Sequence, residues 1–138
     1  MVKPDSPLIN TRQRRERVNE AGEMMRISDF LKRYNLHGSL INNVEYDSIT
    51  KRVSLETQLC KWQQSDYDES KDPEMIDGFI VFEDVTYFET DCVKGFDADE
   101  ILEVVLISKN QSSERVKIVT DGVNIIIIEA GNVDWYPF

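Results

Sequence analysis

His37 is the only histidine in the chain, and an imidazole does acid-base work or holds a metal only with partners in reach. Proton transfer needs a carboxylate or nucleophile within hydrogen-bond distance, and a metal needs further soft or carboxylate ligands. Tyr34, Glu45 and Trp62 are the residues that would line a pocket with it at the junction between a short helix and the first strand. With no partner evident at a telling spacing, the plainer expectation is a structural His37 whose hydrogen bond fixes that junction. A second candidate is the acidic run Asp66-Tyr67-Asp68-Glu69-Ser70-Lys71-Asp72, which begins like a calcium loop. It departs at the sixth position, where the sharp turn of an EF-hand needs glycine and this chain has Lys71, and Asp77 stands at the twelfth, after Pro73. Asp97-Ala98-Asp99-Glu100 is another carboxylate cluster. Solvated charge explains both, so neither a metal site nor a cofactor is expected.

Other chemistry-bearing patterns are missing. The sequence holds no G-x-G-x-x-G, no G-x-x-x-x-G-K-[ST] and no G-x-S-x-G, which removes the usual phosphate cradles and the nucleophile elbow. Cys60 and Cys92 lack C-x-x-C spacing and are expected as free thiols. Arg12, Arg14, Arg15 and Arg17 would suit an anionic surface, but Glu16, Glu20 and Glu23 interleave with them, as on an ordinary solvated helix.

The charge balance bounds the partners. Net charge is −10, and it is unevenly spread: residues 1–36 carry +3 and residues 37–138 carry −13. A body this acidic repels phosphate backbones, so nucleic acid is not expected as the main ligand, whereas a basic partner is attracted. The 138 residues, 41% apolar and 30% charged, are enough for one domain with a core of its own. The longest aliphatic run, Ile125 to Ile128, is far short of the roughly 20 residues of a spanning helix. No apolar h-region follows the first charges, so no membrane association is expected and the compartment expected is the cytoplasm.

The elements that position these residues follow from hydrophobic period. Residues 1–10, with Pro4 and Pro7, read as a flexible lead-in, and 11–138 as a single α+β domain, helical over 11–35 and β-rich over 38–138. A helix is expected from Thr11 to Met25 on a thin stripe of Val18, Ala21 and Met25. A second short helix has Ser28 as N-cap, Phe30, Leu31 and Tyr34 as its apolar patch, and Asn35 as C′ residue. Beyond Gly38 the period becomes two. Leu40, Val44 and Tyr46 share a face, and after a turn at 47–50 the residues Val53, Leu55, Thr57 and Leu59 alternate with polar ones. A polar loop spans 63–74, followed by Ile76 to Phe82 and Val85 to Phe88 as either a tight hairpin or one bent strand. Ile101 to Ser108 and Arg115 to Thr120 come next, and Asp121-Gly122 has the form of a two-residue hairpin whose residues accept positive φ. The strand Val123 to Glu129, with four consecutive isoleucines, should be central and covered on both faces. Val133, Trp135 and Tyr136 form a last short strand. The expected architecture is an N-terminal helical segment followed by a meandering antiparallel sheet of about seven strands, curved or sandwich-like.

The stretch Leu36-His37-Gly38-Ser39-Leu40-Ile41, followed by Val44-Glu45-Tyr46 and Val53-Ser54-Leu55-Glu56, resembles the opening of a group of small bacterial proteins. Those begin a β-rich domain with Leu-His-Asp-Ser and an apolar residue, and some are regarded as immunity proteins of polymorphic toxin systems. Residues 79–88 are similar to their later Phe-containing strand, so the resemblance covers roughly the middle third of the chain. Gly38 replaces the motif's Asp, and no role of that carboxylate carries over. The resemblance implies a non-catalytic protein that neutralises a toxin. The charge agrees, with Asp66, Asp68, Glu69, Asp72, Glu74, Glu83, Asp84, Asp97, Asp99 and Glu100 expected to steer a basic partner such as a toxin. Two further readings stand beside it: a small-ligand module or enzyme with a pocket at Tyr34, His37, Glu45 and Trp62, and a subunit of a homo-oligomer.

Overall fold

The computed structural model describes residues 25–91, 95–122 and 124–138. The lead-in and all of the expected first helix but Met25 lie outside the described residues, as do Cys92 and Val123. Among the described residues one helix, α1 (Ile27–Arg33), precedes eight strands. These are β1 (Leu40–Asp47), β2 (Arg52–Cys60), β3 (Met75–Glu83), β4 (Tyr87–Thr90), β5 (Asp99–Lys109), β6 (Glu114–Thr120), β7 (Ile125–Ala130) and β8 (Asn132–Pro137), with a 3-10 turn at Lys61–Gln63. The α+β reading holds. Eight strands replace the expected seven because the stretch from Ile76 to Phe88 contributes two.

Every pairing is antiparallel, in the order β4-β7-β6-β5-β1-β2-β3-β8. The ends of that order are neighbours in the chain: only Gly131 separates β7 from β8, and only Asp84–Thr86 separates β3 from β4. β3 therefore pairs with β8 while its continuation β4 pairs with β7. Of the two forms expected for 76–88, the bent strand is the one observed, turning at Asp84 with φ 56°. The second corner is a short ladder in which only Leu40 and Ile41 of β1 face Glu100 and Asp99 of β5. Two four-stranded halves, β1-β2-β3-β8 and β5-β6-β7-β4, are thus folded onto one apolar interior.

Alternation supplies that interior. Val53, Leu55, Thr57 and Leu59 of β2, Ile80 and Phe82 of β3, and Ile126 and Ile128 of β7 are all buried, each aliphatic chain contributing about 1.5–3 kcal/mol by leaving water. The isoleucine run is central as expected, between β4 and β6, but Ile125 and Ile127 keep partial exposure on the outer face. In β1 the expected face of Leu40, Val44 and Tyr46 is broken by an irregularity between Ile41 and Asn43, which puts Ile41 opposite Thr57 and Val44 opposite Leu55. The extra residue flips the pleat, so Ile41 rather than Leu40 is the buried anchor. The β6–β7 connection is also longer than expected. Thr120 N–H donates to Asn124 O at 3.0 Å, and neither Asp121 nor Gly122 has a positive φ.

α1 buries Ile27 and Phe30 against the open side of the interior, and Met25 exchanges two backbone hydrogen bonds with Val133 of β8. Ser28 is not its N-cap. Arg26 holds that position without a side-chain bond to the helix, and the cap arrives from β6, where Glu114 Oε1 accepts the Ser28 N–H at 2.8 Å. Tyr34, extended at φ −120°, occupies the C-cap, so Asn35 is not a left-handed C′ residue. Glu114 is 1% exposed and its other oxygen lies 3.6 Å from Arg26 Nη2. Burial opposes its ionisation, but the Ser28 hydrogen bonds and the Arg26 charge outweigh that and hold the carboxyl below its usual range.

A folded-state pKa below the unfolded one gives stability that is complete above about pH 4.5, the ordinary value, and lost as pH falls through the folded value. Glu114→Gln should cost about 2–4 kcal/mol near neutrality, the range for losing a buried charge-assisted cap and ion pair. Denaturant unfolding at a series of pH values should show that gap narrowing below pH 4.5. A gap that stays constant with pH would mean that the carboxylate charge does not hold α1.

Candidate functional site

The acidic loop between β2 and β3 is built as a closed unit. Its ends are tied where Lys61 N–H donates to Glu74 O at 2.7 Å and Trp62 N–H to the same oxygen at 3.3 Å. Inside, the carboxylates serve as backbone acceptors: Asp68 Oδ1 takes the Ser70 N–H at 3.0 Å and Asp72 Oδ2 takes the Asp68 N–H at 3.0 Å. Such local bonds let a polar segment hold one shape without a core of its own. Gln64 adds a bridge to the helix end, its Oε1 accepting the Asn35 N–H and its Nε2 donating to Asn35 O and Cys60 O.

The charge in this loop is only partly compensated. Lys61 Nζ stands 2.8 Å from Asp66 Oδ1, and Lys71 Nζ reaches Asp68 at 4.0 Å on the exposed surface. Hydrogen bonding to Lys61 holds the Asp66 carboxyl below the usual range, and the Ser70 bonds do so for Asp68. Tyr67, set among these groups, has its phenol pushed up from 10.0, first by burial and then by the charges of Glu74, Glu69, Asp72 and Asp68.

Of the ten carboxylates expected to act together, the structure gathers Asp66, Asp68, Glu69, Asp72 and Glu74 in this loop. Glu100 lies at the same end of the sheet, opposite Leu40, whose other neighbour is Gln58 close to the end of β2. Glu83 and Asp84 are not there. They stand at the far end of β3, eight residues from Met75 and so roughly 27 Å away along the strand. Glu83 pairs with Arg52 at 3.2 Å, and Asp84 Oδ2 accepts from Asn132 at 3.2 Å. Asp99 is turned to the β6–β7 connection, accepting from Asn124 Nδ2 at 2.8 Å, and its other oxygen takes the Asp97 N–H.

The pocket expected around His37 is divided. His37 and Tyr34 line one groove of about 400 Å³ with Leu31 and residues 101–104 of β5, Glu103 among them. Glu45 lines a separate depression at the β1–β2 hairpin, and Trp62 is 53% exposed and lines neither. No carboxylate of that quartet is brought to His37. The hydrogen bond His37 makes at the junction is from its backbone N–H to Asn35 Oδ1 at 3.1 Å, and the residue is exposed. The motif beside it is structural. Gly38 has φ +87°, a conformation that glycine adopts freely, Leu36 and Ser39 are buried, and Ser39 Oγ accepts the Cys60 N–H at 2.9 Å. Cys60 is a free buried thiol, and among the described residues no group of three potential metal ligands comes together.

No family model matches this chain, and no curated protein matches it. A crystal structure of an uncharacterized protein from Neisseria gonorrhoeae is similar at 14% identity and a TM-score of 0.41, over 74% of this chain and 93% of that one. At that level the likeness carries no argument about function.

Sequence reasoning missed Gln64 as the organiser of the loop's base and Tyr67 as a phenol perturbed within it. Tyr67 had a readable signal, an aromatic residue inside a carboxylate run. Its phenol should titrate above 10.0 in an NMR pH series, and Glu74→Gln should bring it part of the way back. A Tyr67 midpoint indifferent to that substitution would show that the loop carboxylates do not share one field.

Proposed function

We propose that this chain is a non-catalytic, immunity-type binding protein that engages a basic partner, such as a toxin, through the acidic loop between β2 and β3. The observation that supports this best is that Asp66, Asp68, Glu69, Asp72 and Glu74 share one short loop whose ends are tied by the Lys61 and Trp62 N–H groups to Glu74 O and whose turn is closed by Asp68 and Asp72. A pre-shaped concentration of like charge raises encounter rates with an opposite surface and costs little ordering when the complex forms. Asp66 and Glu100 extend the same end, while Glu83, Asp84, Asp97 and Asp99 serve mainly to attract at longer range. Nucleic acid is repelled by this surface and is not the main ligand.

The probe is a basic toxin, sought first among the genes adjacent to this one, and co-expression with this chain should rescue cells from it. In stopped-flow association at low salt, neutralising Asp66, Asp68 and Asp72 to Asn and Glu69 and Glu74 to Gln should slow binding by about tenfold or more. Asn retains the acceptor oxygens that shape the loop, so thermal unfolding should change little. An association rate untouched by the five substitutions, or a partner that proves acidic, would remove the reading.

A further inference from the structure

We propose that a second groove, on the other side of Tyr34, binds a small amphipathic carboxylate, an anion carried on a planar apolar body. This groove of about 330 Å³ lies between the end of α1, the 3-10 turn and β8, at the small end of the range for ligand pockets. Its floor is the open end of the inner face of β2 and β3, formed by buried Leu59, Ile76 and the ring of Trp135. Trp135 lies there because Gly78 has no side chain: a Cβ on Gly78 would stand 2.7 Å from Trp135 Cη2 and 2.6 Å from Tyr136 O. A flat apolar body stacked on that indole leaves its polar end at the rim.

The rim supplies a cation whose counter-ion is easily exchanged. Lys61 reaches the groove with its side chain only 15% exposed, whereas the side chain of Asp66, its partner at 2.8 Å, is 76% exposed. An ammonium has three protons to donate, and this one uses a single bond to a carboxylate that keeps most of its contact with water. A ligand carboxylate can take the place of Asp66 on Lys61, and Asp66 returns to solvent at little cost. Arg33, 5.6 Å above the Tyr34 ring, adds a second positive charge on the same rim. The two cations select an anionic head, and the floor selects the flat apolar remainder. This site does not depend on the acidic loop finding a protein partner.

The test uses the full chain and three probes with one body: indole-3-acetate, its primary amide, and tryptamine. In amide-detected NMR titrations the Trp135 indole N–H and the Gly78 amide should shift saturably with the carboxylate and far less with the other two. Lys61→Met should weaken the carboxylate by about tenfold, the scale of a lost charge-assisted hydrogen bond. Asp66→Asn should strengthen it several-fold by removing the competing carboxylate. Non-saturable shifts, equal binding of the amide or of tryptamine, or an affinity that Asp66→Asn lowers or leaves unchanged would each overturn the proposal.

Discussion

Two four-stranded ladders share one interior here only because the chain turns corners between them, and the rest of the molecule depends on those corners. At one, β7 becomes β8 across Gly131 while β3 becomes β4 across Asp84–Thr86, and Gly131 N–H donates to both Glu83 O and Asp84 O. At the other, Gly38 N–H donates to Ile101 O and Ile101 N–H to Ser39 O, while buried Ser39 takes the Cys60 N–H. Backbone groups that leave one ladder must be satisfied by the next, since an unpaired buried amide costs as much as a lost hydrogen bond. Side chains alone would not keep the halves in register. The positive φ of Asp84 is the conformational cost of one change of direction, and at the other Gly38 takes a positive φ without that cost.

α1 is held from both ends by groups distant in sequence. Glu114 accepts from its first turn, and Gln64 clasps the backbone of Asn35 just past its last. A helix of seven residues has little stability of its own, so its place is set by β6 on one side and by the β2–β3 loop on the other. Tyr34 consequently becomes a ridge between two grooves, and the buried amide side chain of Gln64 couples the acidic loop to the helix end.

Much of this could be read from the residues, and what could not has specific causes. Alternation in Val53–Leu59 marks β2, because a period of two admits only one face in the core, and the unbroken isoleucine run marks β7 because such a strand needs neighbours on both edges. The face of β1 was misread since a bulge at Asn42–Asn43 leaves no mark in an alternation count, and Ile41 and Val44 read as opposite faces until the extra residue is known. Glu114 was invisible as a core residue because its partners, Arg26 and Ser28, lie more than 80 positions away. The His37 quartet shows a further limit. β1 carries Glu45 away from the junction, whereas the 3-10 turn of Trp62 returns to it through Cys60 and Gln64 with the Trp62 side chain left to solvent. Proximity in sequence to a junction says nothing about which way a strand departs or a side chain faces.

The acidic loop raises the question of how five carboxylates stay close without unfolding their surroundings. Part of the answer is that Asp68 and Asp72 spend one oxygen each on backbone N–H groups within the loop, which stabilises the charged form and the turn together. Lys61 answers most of the rest, pinned at the base by its own N–H to Glu74 O and carrying its charge to Asp66. Glu69 and Glu74 remain turned to water, where high dielectric makes repulsion cheap. A stretch that costs little to keep in solvent yet holds a defined outline is suited to meeting a partner, because the ordering that binding would otherwise demand has been met within the fold.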